Sequence, residues 1–356
     1  MIQPTVLRVA LLLIAAQGLA GCGIHYTGWV NDRYPPHGEM VELSDGLKLH
    51  VVEEGTSGPT VVLVHGNPGF TEDFARVQEL AREEFRTIAF DRPGHGHSSR
   101  PAETTIDEQI DWLRELLMSR DALPKRRSLA EPIYEGYRVP TAERANQLIL
   151  VGFSWGGAFA LLYANKYPSD VSGLVLIGSY GFADESLIDE RPRAYTWPII
   201  GPVFVDNVGV LFADKLARNE LRKAFQPGEV PADLEEYVRE ASYVHTRPDA
   251  IRAMVQDEDQ VHEALHELWA SKPRFEMPVI IIASSKDSLV PADGHSDKLH
   301  DSSDLPRSFR CDAIDQGHMI PQKDPGLVVS MLRFLRDWKA EGELPDMTKY
   351  GLEPRK

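Results

Sequence analysis

Two cysteines, Cys22 and Cys311, stand in 356 residues. A chain of this length stapled by disulfides needs more, so the fold has to rest on an apolar core. Basic charge is scarce as well, with 38 Lys and Arg facing 54 Asp and Glu for a net charge of −16. That field repels phosphate backbones and argues against nucleic acid as a partner. The one short basic run, Lys125-Arg126-Arg127 beside Pro124, reads as a solvated loop. No apolar run reaches the ~20 residues that a membrane-spanning helix needs. What is present is 42% apolar residues, enough for a sizeable core in one large domain or one domain carrying a big insertion.

Arg8 precedes an apolar run from Val9 to Ala20, broken by Gln17 and Gly18, which ends Leu19-Ala20-Gly21-Cys22. A charged start, a short apolar stretch and small residues at the cut make a secretory signal pattern. The closing string resembles the lipobox of bacterial lipoproteins. That resemblance implies a signal peptide over 1–21, acylation of Cys22 by palmitate-type chains, and a bacterial envelope protein held to the membrane by a lipid anchor. Gly23 replaces the aspartate that retains such proteins at the inner membrane, so the resemblance leans to the outer membrane or a periplasm-facing site. An ordinary cleaved signal peptide and an uncleaved anchor are the alternatives. Cys311, in the strand-like Ser308-Phe-Arg-Cys-Asp-Ala-Ile, reads as a small core residue.

Residues 22–38 show no period and read as a tether. From Glu39 onward, two apolar-rich runs flank Asp45-Gly46 as a hairpin, and short β-branched runs follow at Thr60–Val64, Thr87–Phe90, Leu148–Val151, Leu174–Ile177 and Val279–Ile282, with a weaker one near Phe309. Continuous apolar runs mark strands buried on both faces, and helical patterns lie between them at Thr71–Glu84, Thr104–Met118, Trp155–Tyr167 and Pro325–Lys339. The alternation predicts an α/β, mostly parallel doubly wound sheet. Residues 120–146 read as a polar insertion. The block 182–276, helical in pattern at 206–225, 231–246 and 248–270, is too long for a loop and is expected to be a helical cap inserted between two core strands. The expected layout is a core over 39–181 and 277–340, the cap, and a tail over 341–356.

Directly after Leu148–Val151 comes Gly152-Phe153-Ser154-Trp155-Gly156, then a helical pattern. A strand running into a helix through G-x-S-x-G puts the serine in a strained turn at the carboxyl edge of a sheet. Serine needs a base to become a nucleophile. His318, in a loop after the last strand, and Asp287, just past Val279–Ile282, would stand on the same edge, with the acid fixing the imidazole tautomer. Asp184 competes for the acid role. Acyl transfer also needs donors for an oxyanion, and the backbone N–H groups of Trp155 and of Asn67, in His65-Gly66-Asn67-Pro68-Gly69, are the candidates. His65 reads as a loop-bracing residue.

His65-Gly-Asn-Pro-Gly69, Asp91-Arg-Pro-Gly-His-Gly-His-Ser98, Gly152-Phe-Ser-Trp-Gly156, Lys286-Asp287 with Val290-Pro291, and Gly317-His318 together resemble the ordered signature set of the α/β-hydrolase superfamily, over roughly residues 39–340. The resemblance implies the α/β-hydrolase fold and a Ser-His-Asp hydrolase with no cofactor. The Asp91–Ser98 segment is a structural loop in that superfamily.

His-Gly-Asn-Pro with a tryptophan after the nucleophile looks like the haloalkane dehalogenase and epoxide hydrolase branch. Those enzymes use aspartate where this chain has Ser154, which implies acyl transfer instead. Proline iminopeptidases are similar at Ser-Trp-Gly but have His-Gly-Gly-Pro-Gly at the other loop. An aminopeptidase could use Glu235, Glu236, Asp257 or Asp259 to hold an amine, although these carboxylates read more simply as a solvated helix face. The default expectation is hydrolysis of carboxylic esters or related small acyl compounds, with cap aromatics (Tyr195, Trp197, Phe204, Phe212, Tyr237, Tyr243, Trp269) lining a pocket or packing the cap.

Two rivals come from other classes. His262-Glu-Ala-Leu-His266 matches the H-E-x-x-H of zinc proteases, but its flanks read as a charged surface helix with no third ligand, so no metal is expected. A non-catalytic binding lipoprotein on a hydrolase scaffold is the other. Oligomeric state is not legible in the sequence.

Overall fold

The computed structural model describes residues 25–123, 148–183, 213–305, 307–338 and 345–350. Cys22, Asp184, the expected signal peptide, nearly all of the 120–146 insertion and the cap aromatics Tyr195, Trp197, Phe204 and Phe212 lie outside the described residues.

An eight-stranded sheet runs in the order β1-β2-β4-β3-β5-β6-β7-β8. Its strands are β1 Glu39–Glu42, β2 Lys48–Glu54, β3 Thr60–Val64, β4 Arg86–Phe90, β5 Leu148–Phe153, β6 Val171–Ile177, β7 Val279–Ala283 and β8 Ser308–Asp312. β1 and β2 pair antiparallel, as do β2 and β4, and every pair from β4 to β8 is parallel. The period of two along a strand sorts the core into two layers. Val62, Val64, Leu148, Leu150, Leu174, Leu176, Val279 and Ile281 pack on one face, and Val61, Leu63, Ile149, Val151, Val175, Ile177, Ile280 and Ile282 on the other. Each such side chain contributes about 1.5–3 kcal/mol by leaving water. Both faces are therefore apolar, and helices must cover both.

The helices, numbered among the described residues, are α1 over 25–33, α2 Ala75–Ala81, α3 Ile106–Ser119, α4 Trp155–Lys166, α5 Ala213–Ala224, α6 Glu235–Val244, α7 Pro248–Ala270, α8 Ser296–Asp301, α9 Ile320–Lys323 and α10 Pro325–Asp337. Thr105 caps α3 through its side chain, which accepts from the Glu108 N–H, while the Glu108 carboxylate reaches back to the Thr105 N–H. Asp324 caps α10 by accepting from the Leu327 N–H, and Pro325 fills the first helical position. The helix expected over Thr71–Glu84 is a 3-10 turn at Thr71–Phe74 followed by α2, because Asp73 turns inward to accept from the Phe70 N–H. Helices α5, α6 and α7 fall between β6 and β7, where the cap was expected.

Two expectations are corrected. Residues 22–38 are not a plain tether: 25–33 form α1, whose Val30 is fully buried with Tyr34, Phe70, Ala241 and Val244. Tyr26 Oη lies 2.7 Å from Thr246 Oγ1, and Arg247 Nη1 donates to Asn31 Oδ1 at 3.0 Å. The 341–356 tail likewise docks in part, since the Tyr350 ring meets Phe334 edge-on and its hydroxyl donates to Asp337 Oδ2 at 2.6 Å. Both segments are too short to hold structure alone and take it from the surface they cover.

Candidate active site

Ser154 sits between β5 and α4 with φ 56° and ψ −125°, a conformation that costs a non-glycine residue on the order of 1–3 kcal/mol. The turn persists because its neighbours hold it. Ser154 N–H donates to Ile177 O at 2.9 Å, and Ser154 O accepts from the N–H groups of Gly157 at 2.9 Å and Tyr180 at 3.1 Å. A Cβ at Gly156 would stand 2.3 Å from Val64 O, so only glycine lets α4 start this close to β3.

Asp287 follows β7 and His318 follows β8, both at the carboxyl edge that carries Ser154. His318 Nδ1 and Asp287 Oδ2 are 2.7 Å apart, and both side chains are buried. Asp287 Oδ1 accepts from the N–H groups of Leu289 at 2.9 Å and Val290 at 3.0 Å, which fixes the carboxylate. The imidazole packs on Phe153 with ring centroids 4.9 Å apart. An imidazole held by a carboxylate at Nδ1 leaves Nε2 to exchange a proton with a hydroxyl. Among the described residues no hydrogen bond is formed between the Ser154 hydroxyl and His318. Catalytic hydrogen bonds of this kind commonly tighten only in the complex with substrate.

Asn67 follows β3, facing the same edge, and a Cβ on Gly66 would lie 3.5 Å from Ser154 Oγ. Trp155 is the first residue of α4, so its N–H has no intrahelical acceptor. Asn67 Nδ2 donates to Met254 O at 2.9 Å and to Glu258 Oε2 at 3.3 Å, which ties this loop to α7. His65 is the brace expected: Nε2 accepts from the Arg92 N–H at 2.9 Å, and Nδ1 bonds Gly66 O at 2.9 Å. Burial, with the Arg92 charge beside it, holds the His65 pKa well below the ordinary histidine value.

The Asp91–Ser98 loop is wired into the core. Asp91 Oδ2 accepts from His50 Nδ1 and the His97 N–H, both at 2.7 Å, and Oδ1 from the Thr71 N–H at 2.7 Å. Burial alone would raise the Asp91 pKa, but His50 and these donors hold it far below the usual carboxylate range.

Of the cap carboxylates, Asp257 is fully buried rather than on a solvated face, and it accepts from Arg92, His95, Arg100 and Gln109. Glu235 pairs with Arg222 and Glu236 with Arg239. In the H-E-x-x-H stretch, His262 turns inward while His266 is exposed. Among the described residues no three His, Cys, Asp or Glu converge as a metal site requires. Burial pushes the Cys311 thiol up to about 11, as suits a packing residue.

Gly178 was not anticipated. Its φ is +48°, and a Cβ there would stand 3.1 Å from Asp287 Oδ2 and 3.4 Å from His318 Nδ1. It follows β6 directly, and a glycine at a strand end was its only signal in the sequence.

Residues 61–330 match the model of the alpha/beta hydrolase family, and the chain belongs to that family. It is 34% identical over 130 residues to 1-acylglycerol-3-phosphate O-acyltransferase of Arabidopsis thaliana, a match covering 36% of this chain and 27% of that protein. It is 33% identical over 147 residues to Lipase 1 of Psychrobacter immobilis, covering 40% of this chain and 39% of that one. The match thus spans less than half the length of either relative. An esterase from Exiguobacterium antarcticum superposes with a TM-score of 0.61 at 19% identity, over 85% of this chain and all of that one.

Proposed function

From membership of a hydrolase family, we propose that the chain hydrolyses carboxylic esters of small acyl compounds through Ser154, His318 and Asp287. The observation that carries this reading is the 2.7 Å contact of His318 Nδ1 with Asp287 Oδ2 on the edge where Ser154 occupies its strained turn. Ser154 Oγ attacks the ester carbonyl carbon, and its proton passes to His318 Nε2. The oxyanion takes hydrogen bonds from the N–H groups of Asn67 and Trp155. Collapse expels the alcohol, which leaves with the proton from His318, and an acyl-Ser154 ester remains. Water, deprotonated by the same imidazole, then releases the carboxylic acid and restores the serine.

Hydrolysis of aminoacyl substrates is the weaker reading. Asp257 is consumed by two arginines, and Glu235 and Glu236 are paired at the surface, which leaves a substrate amine few of the carboxylates considered for it. Attachment to a bacterial envelope membrane through an acylated Cys22 belongs to the same proposal and is supported by Leu19-Ala20-Gly21-Cys22 alone. Acyl chains would have to hold the protein there, because its net charge of −16 does not favour anionic lipid.

The test is a panel of p-nitrophenyl esters of rising chain length beside aminoacyl-arylamides. Turnover of esters with little of arylamides is expected. Arylamide cleavage without ester cleavage would overturn the ester preference, and turnover of neither would favour a binding protein on a hydrolase scaffold.

A further inference from the structure

The peptide joining Gly66 to Asn67 carries two hydrogen bonds on its carbonyl. His65 Nδ1 donates to Gly66 O at 2.9 Å and Arg92 Nη2 at 2.8 Å. This peptide is not among the cis bonds, and a trans peptide is planar. The direction of its C=O therefore fixes that of its N–H, which points the opposite way. That N–H belongs to Asn67.

Arg92 also touches the residue that carries the second donor, since its guanidinium carbon lies 3.9 Å from the Trp155 ring centroid. The side chain is wholly buried and bonded through Nη1 to Asp257 Oδ2 of the cap helix α7. Asp257 is held in turn by His95 Nε2 at 3.0 Å, Arg100 Nη2 at 2.9 Å and Gln109 Nε2 at 2.9 Å. The Arg92 N–H on His65 Nε2 selects the imidazole form that carries its proton on Nδ1, the form that donates to Gly66.

We infer that Arg92 is the positioning residue of the oxyanion hole: it aims and polarises the Gly66–Asn67 peptide, stacks on Trp155, and is kept in place by Asp257 of the cap. The inference rests on the ester-hydrolase reading above. A charged donor on the carbonyl strengthens the N–H on the far side of the same peptide, a cooperative gain on the order of 10–30% per bond. It also places a fixed positive charge beside the site where negative charge develops. Lysine cannot substitute, because a single ammonium does not reach Gly66 O and Asp257 through separate nitrogens in a rigid fork. The arrangement makes seating of the cap and readiness of the hole one event.

The experiment compares wild type and Arg92→Lys, as full chains, for hydrolysis of a short p-nitrophenyl ester and for binding of an alkylboronic acid, whose tetrahedral adduct on serine mimics the intermediate. Both kcat and boronate affinity are expected to fall roughly 10- to 100-fold, with KM within about threefold of wild type. Unchanged boronate affinity, or a KM that rises in step with the boronate dissociation constant, overturns the inference. Arg114→Lys weakens the Asp170 ion pair just before β6, at the opposite edge of the sheet, and should lower the melting temperature while sparing kcat and boronate affinity; equal losses in it would point to mere destabilisation. If Arg92→Lys does not fold, Asp257→Asn is read by the same criteria. In wild type, boronate titration should shift the NMR signals of the Asn67 amide and the Arg92 guanidinium together, and a guanidinium signal that stays still contradicts the proposal whatever the variants do. Ser154→Ala separates the two levels. If it keeps full turnover, the underlying reading fails; if it is inactive while Arg92→Lys is fully active, only the role of Arg92 fails.

Discussion

Asp287 Oδ2 meets His318 Nδ1 at 2.7 Å across a gap that Gly178 keeps open. A Cβ at 178 would crowd Asp287 Oδ2 at 3.1 Å and touch His318 Nδ1 at 3.4 Å, and the residue would have to adopt φ +48°, at a cost of about 1–2 kcal/mol for an L-residue. Gly178→Ala should therefore lower kcat by roughly 10-fold or more while costing about 1–2 kcal/mol of stability. Ester kinetics and urea unfolding on the same variant check it, and wild-type kcat in Gly178→Ala would show that the contact tolerates displacement.

Asp257 pairs with two buried arginines at once. Asp257→Ala would leave Arg92 and Arg100 without their counter-charge in a water-free space, and breaking a buried pair from one side costs about 3–5 kcal/mol. Urea unfolding should show a loss of this size. A loss under ~1 kcal/mol would mean that water reaches the cluster.

Stability should respond to pH through Asp73. Burial raises its pKa from 3.8 to about 7, against the pull of hydrogen bonds from the Tyr237 hydroxyl and the Phe70 N–H. Between those values the folded protein holds a proton that the unfolded chain releases. The contribution is thus complete below the unfolded value and lost as pH rises through about 7. Asp73→Asn keeps an acceptor for Tyr237 and removes the ionisation, so the decline in stability from pH 5 to 8 should be shallower, with Glu240, also raised to about 7 by burial and by Glu72, supplying a remainder. An unchanged slope would place the proton elsewhere.

The α1 helix should act as part of the fold. Val30→Asp would bury a carboxylate among Tyr34, Phe70, Ala241 and Val244, at a cost of about 3 kcal/mol. Limited proteolysis should then cut between α1 and β1 faster than in wild type. Equal protection would mean that α1 is held by its polar contacts alone.

The strands were legible because each depends on local pattern, and so was the place of Ser154, Asp287 and His318 after strands at one edge of the sheet. Runs such as Val279–Ile282 are apolar at every position, which only a strand covered on both faces requires, and Ser154 and Asp287 sit just past such runs, whereas His318 follows the mixed, half-buried Ser308–Asp312. Helix α7 was legible to the residue at Pro248, whose fixed φ suits a first helical position. Asp257 was misread because Gln256-Asp-Glu-Asp-Gln260 is polar throughout, and its partner Arg92 lies 165 residues away. No local pattern records a pairing at that range. α1 was missed for a different reason. Tyr26, Trp29, Val30 and Tyr34 do have helical spacing, but Gly28 and the following Pro35-Pro36 mask it, and the helix exists because α6 and Phe70 give it a surface.

The most direct measurement is active-site labelling with a fluorophosphonate, read by intact mass and by the modified peptide, on wild type, Ser154→Ala and His318→Ala. One adduct per wild-type chain, located on Ser154, is expected. Ser154→Ala should take none, and His318→Ala should react at least ~1000-fold more slowly. Labelling at another residue, or a Ser154→Ala variant that reacts as wild type does, would contradict the account.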